Sequence, residues 1–229
     1  MSDTIVLITG GNRGIGKETA RQLATRGVAV VIGSRDLAAG EAAAREIPGA
    51  IALQLDVGDD DSIRKAVAEI ERRFSRLDVL INNAGIYPDA DQTILTASRA
   101  LMAETFETNT LGPLALTQAF VPLLRKSKQP RVVNVSSGYG QIEGLSAGVP
   151  SYCISKLALN GVTIMLAEAL KPDGIAVNSV CPGWVRTEMG GPQAPRSVEQ
   201  GASGIVWLAV DAPQAESGKF FRDGQSLAW

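Results

Sequence analysis

The stretch Ile5-Val6-Leu7-Ile8-Thr9-Gly10-Gly11-Asn12-Arg13-Gly14-Ile15-Gly16 runs an apolar segment straight into a glycine-rich turn. A strand, a tight glycine turn and then a helix present bare backbone N–H groups to a phosphate. Gly10 and Gly14 supply backbone angles closed to other residues, and Gly16 lets the following helix approach the strand. Ala20, Leu23 and Ala24 supply the apolar side of that helix. The segment Gly11–Lys17 also fits G-x-x-x-x-G-K, the start of a magnesium-nucleotide loop. That motif requires a Ser or Thr hydroxyl next, and Glu18 stands there instead. A carboxylate at that place repels phosphates, so this second reading fails.

Outward from the turn, short apolar runs alternate with helical stretches. Strands are expected at 4–9, 28–33, 50–55, 79–82, 131–136, 175–181 and 218–221, and helices near 14–26, 36–46, 59–74, 96–124, 151–171 and 197–210. Continuous apolar strands mean a sheet covered on both faces. Strands alternating with helices mean right-handed parallel crossovers. The expected fold is therefore α/β: one doubly wound, mainly parallel seven-stranded sheet with helices on both faces, in a single domain over 1–229. In such sheets ligands bind beyond the carboxyl ends of the strands. Six successive strand ends carry small, polar or glycine residues: the glycine turn, Ser34-Arg35, Asp56-Val57, Asn82-Asn83-Ala84-Gly85, Ser136-Ser137-Gly138 and Pro182-Gly183.

Composition narrows the chemistry. The 229 residues are 45% hydrophobic and 20% charged, with a net charge of −2. A chain of that size buries about 70–75% of its unfolded surface. Neither a basic nucleic-acid footprint nor a disordered composition is present. The apolar runs are too short for a membrane span, and the N-terminus lacks a basic region followed by a hydrophobic signal core. A cytoplasmic location is expected. The absence of histidine excludes Ser-His-Asp and Cys-His catalysis and every His-ligated metal. Cys153 and Cys181 stand alone in apolar stretches and read as buried reduced thiols, so no metal site is expected. Proton chemistry is left to Tyr, Lys, Asp or Glu.

Thr9-Gly10-x-x-x-Gly14-Ile15-Gly16, Asn82-Asn83-Ala84-Gly85 and Tyr152-x-x-x-Lys156, in that order on one rim, resemble the motifs of classical short-chain dehydrogenases/reductases. The resemblance covers nearly the whole chain. The phrases Gly11–Gly16 and Pro182-Gly183-Trp184-Val185-Arg186-Thr187 are most similar to the carbonyl-reductase branch. The resemblance implies a Rossmann-type fold and NADPH-dependent, reversible reduction of ketones or aldehydes to alcohols. Tyr152 would protonate the carbonyl oxygen, and Lys156 would hold the nicotinamide ribose. Ser137, which ends the run Val133–Ser137, would polarise the substrate oxygen, and Asn109 would fix a water linking Lys156 to solvent. On a helix, residues four apart share a face. A lysine ammonium beside a phenol favours the phenolate, so Lys156 is expected to lower the Tyr152 pKa.

The implied cofactor set is Gly10, Asn12, Arg13, Gly14, Ile15, Gly16, Ser34, Arg35, Asp56, Val57, Asn83, Ala84, Gly85, Tyr152, Lys156, Pro182, Gly183, Val185 and Thr187. Where a NAD site carries an acidic residue, Ser34 and Arg35 stand, with Arg13 nearby, which points to NADP. Asp36 is expected to cap the next helix. The substrate would lie between the 138–149 loop (Gln141, Ile142, Leu145) and the segment carrying Trp184 and Met189. That pocket is mainly apolar and suits bulky ketones. The Gly- and Pro-rich stretch 188–197 offers at most a small lid. A 3-oxoacyl thioester reductase is the competing enzyme reading, with Arg125, Lys126 and Lys128 as its only basic cluster. A non-catalytic NADP-binding redox sensor is the competing non-enzyme reading. Relatives assemble through the 96–124 and 151–171 helices, so a homodimer or homotetramer is expected.

Overall fold

A computed structural model describes residues 4–229. Eight strands form one sheet: β1 (Ile5–Thr9), β2 (Ala29–Ser34), β3 (Ile51–Gln54), β4 (Val79–Asn82), β5 (Arg131–Val135), β6 (Ala176–Val180), β7 (Phe220–Arg222) and β8 (Gln225–Leu227). Their order is β3-β2-β1-β4-β5-β6-β7-β8. All neighbours pair parallel except β7 and β8. The strand order reverses between β1 and β4, and the glycine turn opens from the end of β1 beside that point. Strands β1, β4, β5 and β6 are buried along their whole length. Two apolar layers cover the sheet. One contains Leu7, Leu80, Phe120 and Val177, and the other contains Ile8, Leu23, Ile81 and Ile205.

The eighth strand is an addition to the seven expected. Asp223 and Gly224 both take left-handed backbone angles, at φ 53° and 73°, and turn the chain back as a two-residue hairpin. Asp-Gly is a favoured pair for such a turn, because both central residues need positive φ. The following strand is three residues of mostly exposed side chains, which gave no apolar run to read.

Helices α1 (Gly14–Thr25), α2 (Leu37–Arg45), α3 (Asp60–Phe74), α6 (Pro150–Leu170) and α7 (Val198–Val206) fall close to their expected places. Asp36 caps α2 as expected, its carboxylate accepting from the Ala39 N–H at 3.2 Å. The stretch expected as one helix over 96–124 is α4 (Arg99–Phe106), a wider π turn over Glu107–Leu111, and α5 (Gly112–Leu124). Such π turns occur frequently at functional sites, and this one carries Asn109. By length and composition alone Pro150–Asp173 could cross a membrane, with a mean hydropathy of 1.4 over its most apolar window. Half of that window is buried, and Lys156, Asn160 and Thr163 point into the protein from it. Its apolar character is that of a helix packed on the sheet.

Candidate active site

The glycine turn is shaped by two neighbours. Gly10 and Gly14 take φ 62° and 54°. A Cβ on Gly16 would lie 2.5 Å from both the Asn83 Nδ2 and the Gly10 carbonyl. Asn83, at the end of β4, donates from its amide to the Thr9 carbonyl at 2.9 Å and the Gly10 carbonyl at 3.2 Å. The Thr9 hydroxyl accepts in return from the Asn83 and Ala84 N–H groups. Arg13 precedes α1 without a side-chain cap, and the first turn of α1 holds no acidic residue. The opening N–H groups of α1 thus face outward with their partial positive charge, the arrangement that receives a pyrophosphate. Glu18 does not face that end. It lies buried along α1, bonded to Arg21 at 2.7 Å and Gln22 at 2.9 Å. The Arg21 guanidinium holds its carboxyl below the ordinary range.

Around this turn the expected cofactor residues form the rim. Val57 is buried beneath α5, where its carbonyl would meet a Cβ on Gly112 at 2.7 Å. The Asp56 carboxylate accepts from the Gly58 N–H at 3.1 Å. Gly183 takes φ 80°, Val185 is buried, and the Thr187 methyl lies 3.5 Å from the Cβ position of Gly14. Gly85 approaches the inner end, its Cβ position 3.5 Å from the Lys156 Nζ.

Two residues expected to meet the 2′-phosphate, Ser34 and Arg13, have partners within the protein. Ser34 is turned inward: its side chain is buried and its hydroxyl donates to the Asp36 carbonyl at 2.7 Å. A hydroxyl has one proton to donate, so Ser34 has none left for a phosphate. Arg35 stays exposed on the rim. Arg13 is also exposed, and forms an ion pair with Glu188 from the segment after β6. The sequence gave no hint of that partner, because residues 175 positions apart meet only once the sheet is built.

The Tyr152 and Lys156 side chains project from one face of α6, with the Lys156 Nζ 5.7 Å from the centre of the Tyr152 ring. Lys156 is 4% exposed and donates to the Val135 carbonyl at the end of β5, at 2.8 Å. Burial pushes its pKa down to about 8. The Tyr152 phenol is pushed up by burial, against a smaller opposing effect from its hydrogen bond with Ser137. The structure does not give the expected lowering of the phenol by Lys156: burial raises it, and the Ser137 hydrogen bond is the opposing effect. At neutral pH the phenol carries its proton.

Ser137 follows β5 and meets Tyr152, so the structure brings these two expected residues together. Asn109 joins them from the π turn. Its amide donates to the Ile86 carbonyl at 2.9 Å and to the Ser155 hydroxyl at 3.1 Å, and its oxygen accepts from the Ile86 N–H at 2.8 Å. This side chain uses both amide protons on protein, and its oxygen keeps one lone pair beyond the Ile86 N–H. It ties the strand end after β4 to α6.

Beyond Tyr152, Ile142, Leu145, Trp184 and Met189 are all exposed apolar side chains. Gln141 differs from them, its amide donating to the Ala228 carbonyl at 2.9 Å. No helix forms between Val185 and Ser197. The segment is held instead by Trp184 donating to the Gly190 carbonyl at 2.7 Å and by Arg186 donating to the Ala194 and Pro195 carbonyls. Two aromatic residues unread in the sequence flank the phenol. The Tyr87 and Tyr139 rings stand edge-on to Tyr152, with centroids at 4.9 and 6.4 Å. Of the basic cluster at the end of α5, Arg125 is paired with Asp173 and Lys126 with Glu71.

Comparison with known proteins agrees with this geometry. Residues 4–197 match the family model described as short chain dehydrogenase. A short-chain dehydrogenase, anuI, from Penicillium roqueforti is 37% identical, with 97% of this chain and 95% of the relative covered. Carbonyl reductase (NADPH) 1 from Bos taurus is 32% identical, with 100% and 99% covered. The crystal structure of NADPH-bound carbonyl reductase from chicken fatty liver superposes with a TM-score of 0.90, at 32% identity and 98% coverage of both chains. The chain is a member of the short-chain dehydrogenase family, on its carbonyl-reductase-like branch.

Proposed function

We propose that this protein is an NADPH-dependent oxidoreductase that reduces ketones and aldehydes to alcohols. The observation that carries the reading is the Tyr152 phenol, hydrogen-bonded to Ser137 and beside the buried Lys156 ammonium, at the rim of an uncapped glycine turn. NADPH, when bound, supplies the hydride. The pyrophosphate would rest on the turn from Gly10 to Gly16, and the 2′-phosphate would meet Arg13 and Arg35. Tyr152 donates its proton to the substrate oxygen as charge develops there, and Ser137 donates a hydrogen bond to the same oxygen. Lys156, held on the Val135 carbonyl, bonds the nicotinamide ribose and stabilises the phenolate left behind.

Ile142, Leu145, Trp184 and Met189 line an open apolar entrance that suits bulky, uncharged carbonyl compounds. The exposed Leu111, Ile164 and Met165, in the two helical stretches expected to meet a second copy of the chain, support such an assembly. Light scattering after gel filtration tests that part. The central test pairs NADPH and NADH binding with a screen of aromatic and aliphatic ketones. NADPH oxidation that depends on a bulky ketone is the expected result. Binding of neither nucleotide overturns the reading.

A further inference from the structure

The helix that carries Tyr152 starts without a local cap. The residue before it, Val149, is β-branched, yet takes φ 45° and ψ 49°, and it provides no side-chain cap. A bulky residue in the left-handed region is strained and persists only where its surroundings impose it. Pro150 removes one N–H from the first turn. The next two are taken by a residue more than sixty positions earlier. Asp89 Oδ2 accepts from the Ser151 N–H at 2.7 Å and from the Tyr152 N–H at 3.3 Å, and also from the Ser151 hydroxyl.

Asp89 is wholly buried, and its other oxygen has no hydrogen-bond partner in the protein. A buried carboxylate that is only half satisfied costs stability. Serine or asparagine at 149 would cap the helix without that cost. The chain instead spends a buried charge on joining two particular places. The Ile86–Asp89 segment leaves the end of β4, clamped at Ile86 by Asn109. Tyr87 lays its ring edge-on to the Tyr152 ring at 4.9 Å. Asn109 also bonds Ser155, one turn along α6. The backbone N–H of Tyr152 and the face of its ring are thus both set by four consecutive residues of the loop after β4.

We infer that Asp89 is a positioning residue for the Tyr152 phenol: it fixes the first turn of α6 to the loop after β4, so that the phenol sits at the reacting oxygen. The inference rests on the proposed ketone reduction for its kinetic consequence, and on geometry alone for the anchoring.

The test uses the full-length protein with NADPH bound, and the variants Asp89→Asn and Asp89→Ala. Asparagine keeps an acceptor for both N–H groups, so Asp89→Asn should hold kcat within about threefold of the parent. Asp89→Ala should lower kcat by about 10- to 100-fold, the scale of a displaced catalytic group, with the NADPH dissociation constant within about threefold. The deuterium isotope effect on kcat with 4-deuterated NADPH should rise in Asp89→Ala, because a misplaced proton donor makes chemistry slower. Mere loss of folded enzyme would leave that isotope effect unchanged, and this result would overturn the inference. If Asp89→Ala folds poorly, Asp89→Ala/Val149→Asn relieves the strain at 149. Recovery of kcat along with stability in that double variant would also overturn it.

Amide exchange at Ser151 and Tyr152, expected to quicken in Asp89→Ala and not in Asp89→Asn, reads the anchoring without any substrate. A parent enzyme that reduces no ketone, with this exchange pattern intact, would sink the functional reading and leave the anchoring standing. Unchanged exchange in Asp89→Ala would sink the anchoring itself.

Discussion

The Lys156 ammonium reaches from α6 to the Val135 carbonyl at the end of β5, 2.8 Å away, with only 4% of the residue exposed. That contact satisfies one of its three donors and takes the charge out of water. The result is a lysine whose pKa falls to about 8 from an ordinary 10.5. Between those values the unfolded chain holds more protons than the folded one, so stability rises with pH across that window. The penalty is fully present below pH 8. At about 1.4 kcal/mol per pH unit, the fall from 10.5 to about 8 amounts to about 3 kcal/mol. Urea unfolding from pH 7 to 10 should show the parent gaining most of that relative to Lys156→Met. A pH-independent difference would contradict the buried placement.

The Tyr152 phenol is held above its ordinary range by burial. Reduction needs the protonated phenol, so its rate should be flat from pH 6 to 8 and fall only in alkali. Oxidation of the alcohol needs the phenolate and should quicken as pH rises. Tyr152→Phe should lower kcat by about 10²- to 10⁴-fold while NADPH still binds, as fluorescence titration would read. Wild-type turnover in a folded Tyr152→Phe would remove the phenol from the mechanism.

Gly16 has no room for a methyl group. A Cβ there would sit 2.5 Å from Asn83 Nδ2 and from the Gly10 carbonyl, and the second of these is backbone. Gly16→Ala should destabilise the protein by about 1–3 kcal/mol, as overpacking does. It should also weaken NADPH binding, because the turn must open to relieve the contact. Thermal melts with and without nucleotide separate the two effects.

Arg13 and Glu188 form an exposed ion pair, with side chains 72% and 78% exposed. Such a pair contributes little to folding. It does place a carboxylate on the arginine proposed to meet the 2′-phosphate. Glu188→Gln should therefore tighten NADPH binding by about 1.5- to 5-fold and leave NADH nearly unchanged. Arg13→Ala/Arg35→Ala should weaken NADPH alone. Titrations at two salt concentrations measure both, and equal changes for the two nucleotides would refute this role for the pair.

Local signals in the sequence determined the elements of the fold and the residues gathered at its rim. Strand β4 ends at Asn82 as expected, because three apolar residues running into Asn-Asn-Ala-Gly read the same in isolation as in the sheet. Asp36 was legible as a cap, because capping is a contact between near neighbours. Tyr152 and Lys156 were legible through the ordered motifs they share with the family, and their helical spacing puts them on one face. Asp223-Gly224 was equally local, and its turn signal sat in plain view beside a strand too polar to notice.

Only the tertiary structure decided what meets what across the sheet. Burial of the Tyr152 phenol and Lys156 reversed the expected direction of the tyrosine shift, since desolvation depends on atoms brought from other elements. Ser34 lost its hydroxyl to a neighbour's carbonyl because the end of β2 packs against α2, where a Cβ on Gly40 would lie 3.0 Å from the Ser34 Cβ. Asp89 on Tyr152 and Glu188 on Arg13 join positions that are 63 and 175 residues apart. Sequence fixes which backbone angles and apolar faces each segment prefers. Partners that far apart are chosen by the packing of those faces, which no single segment contains.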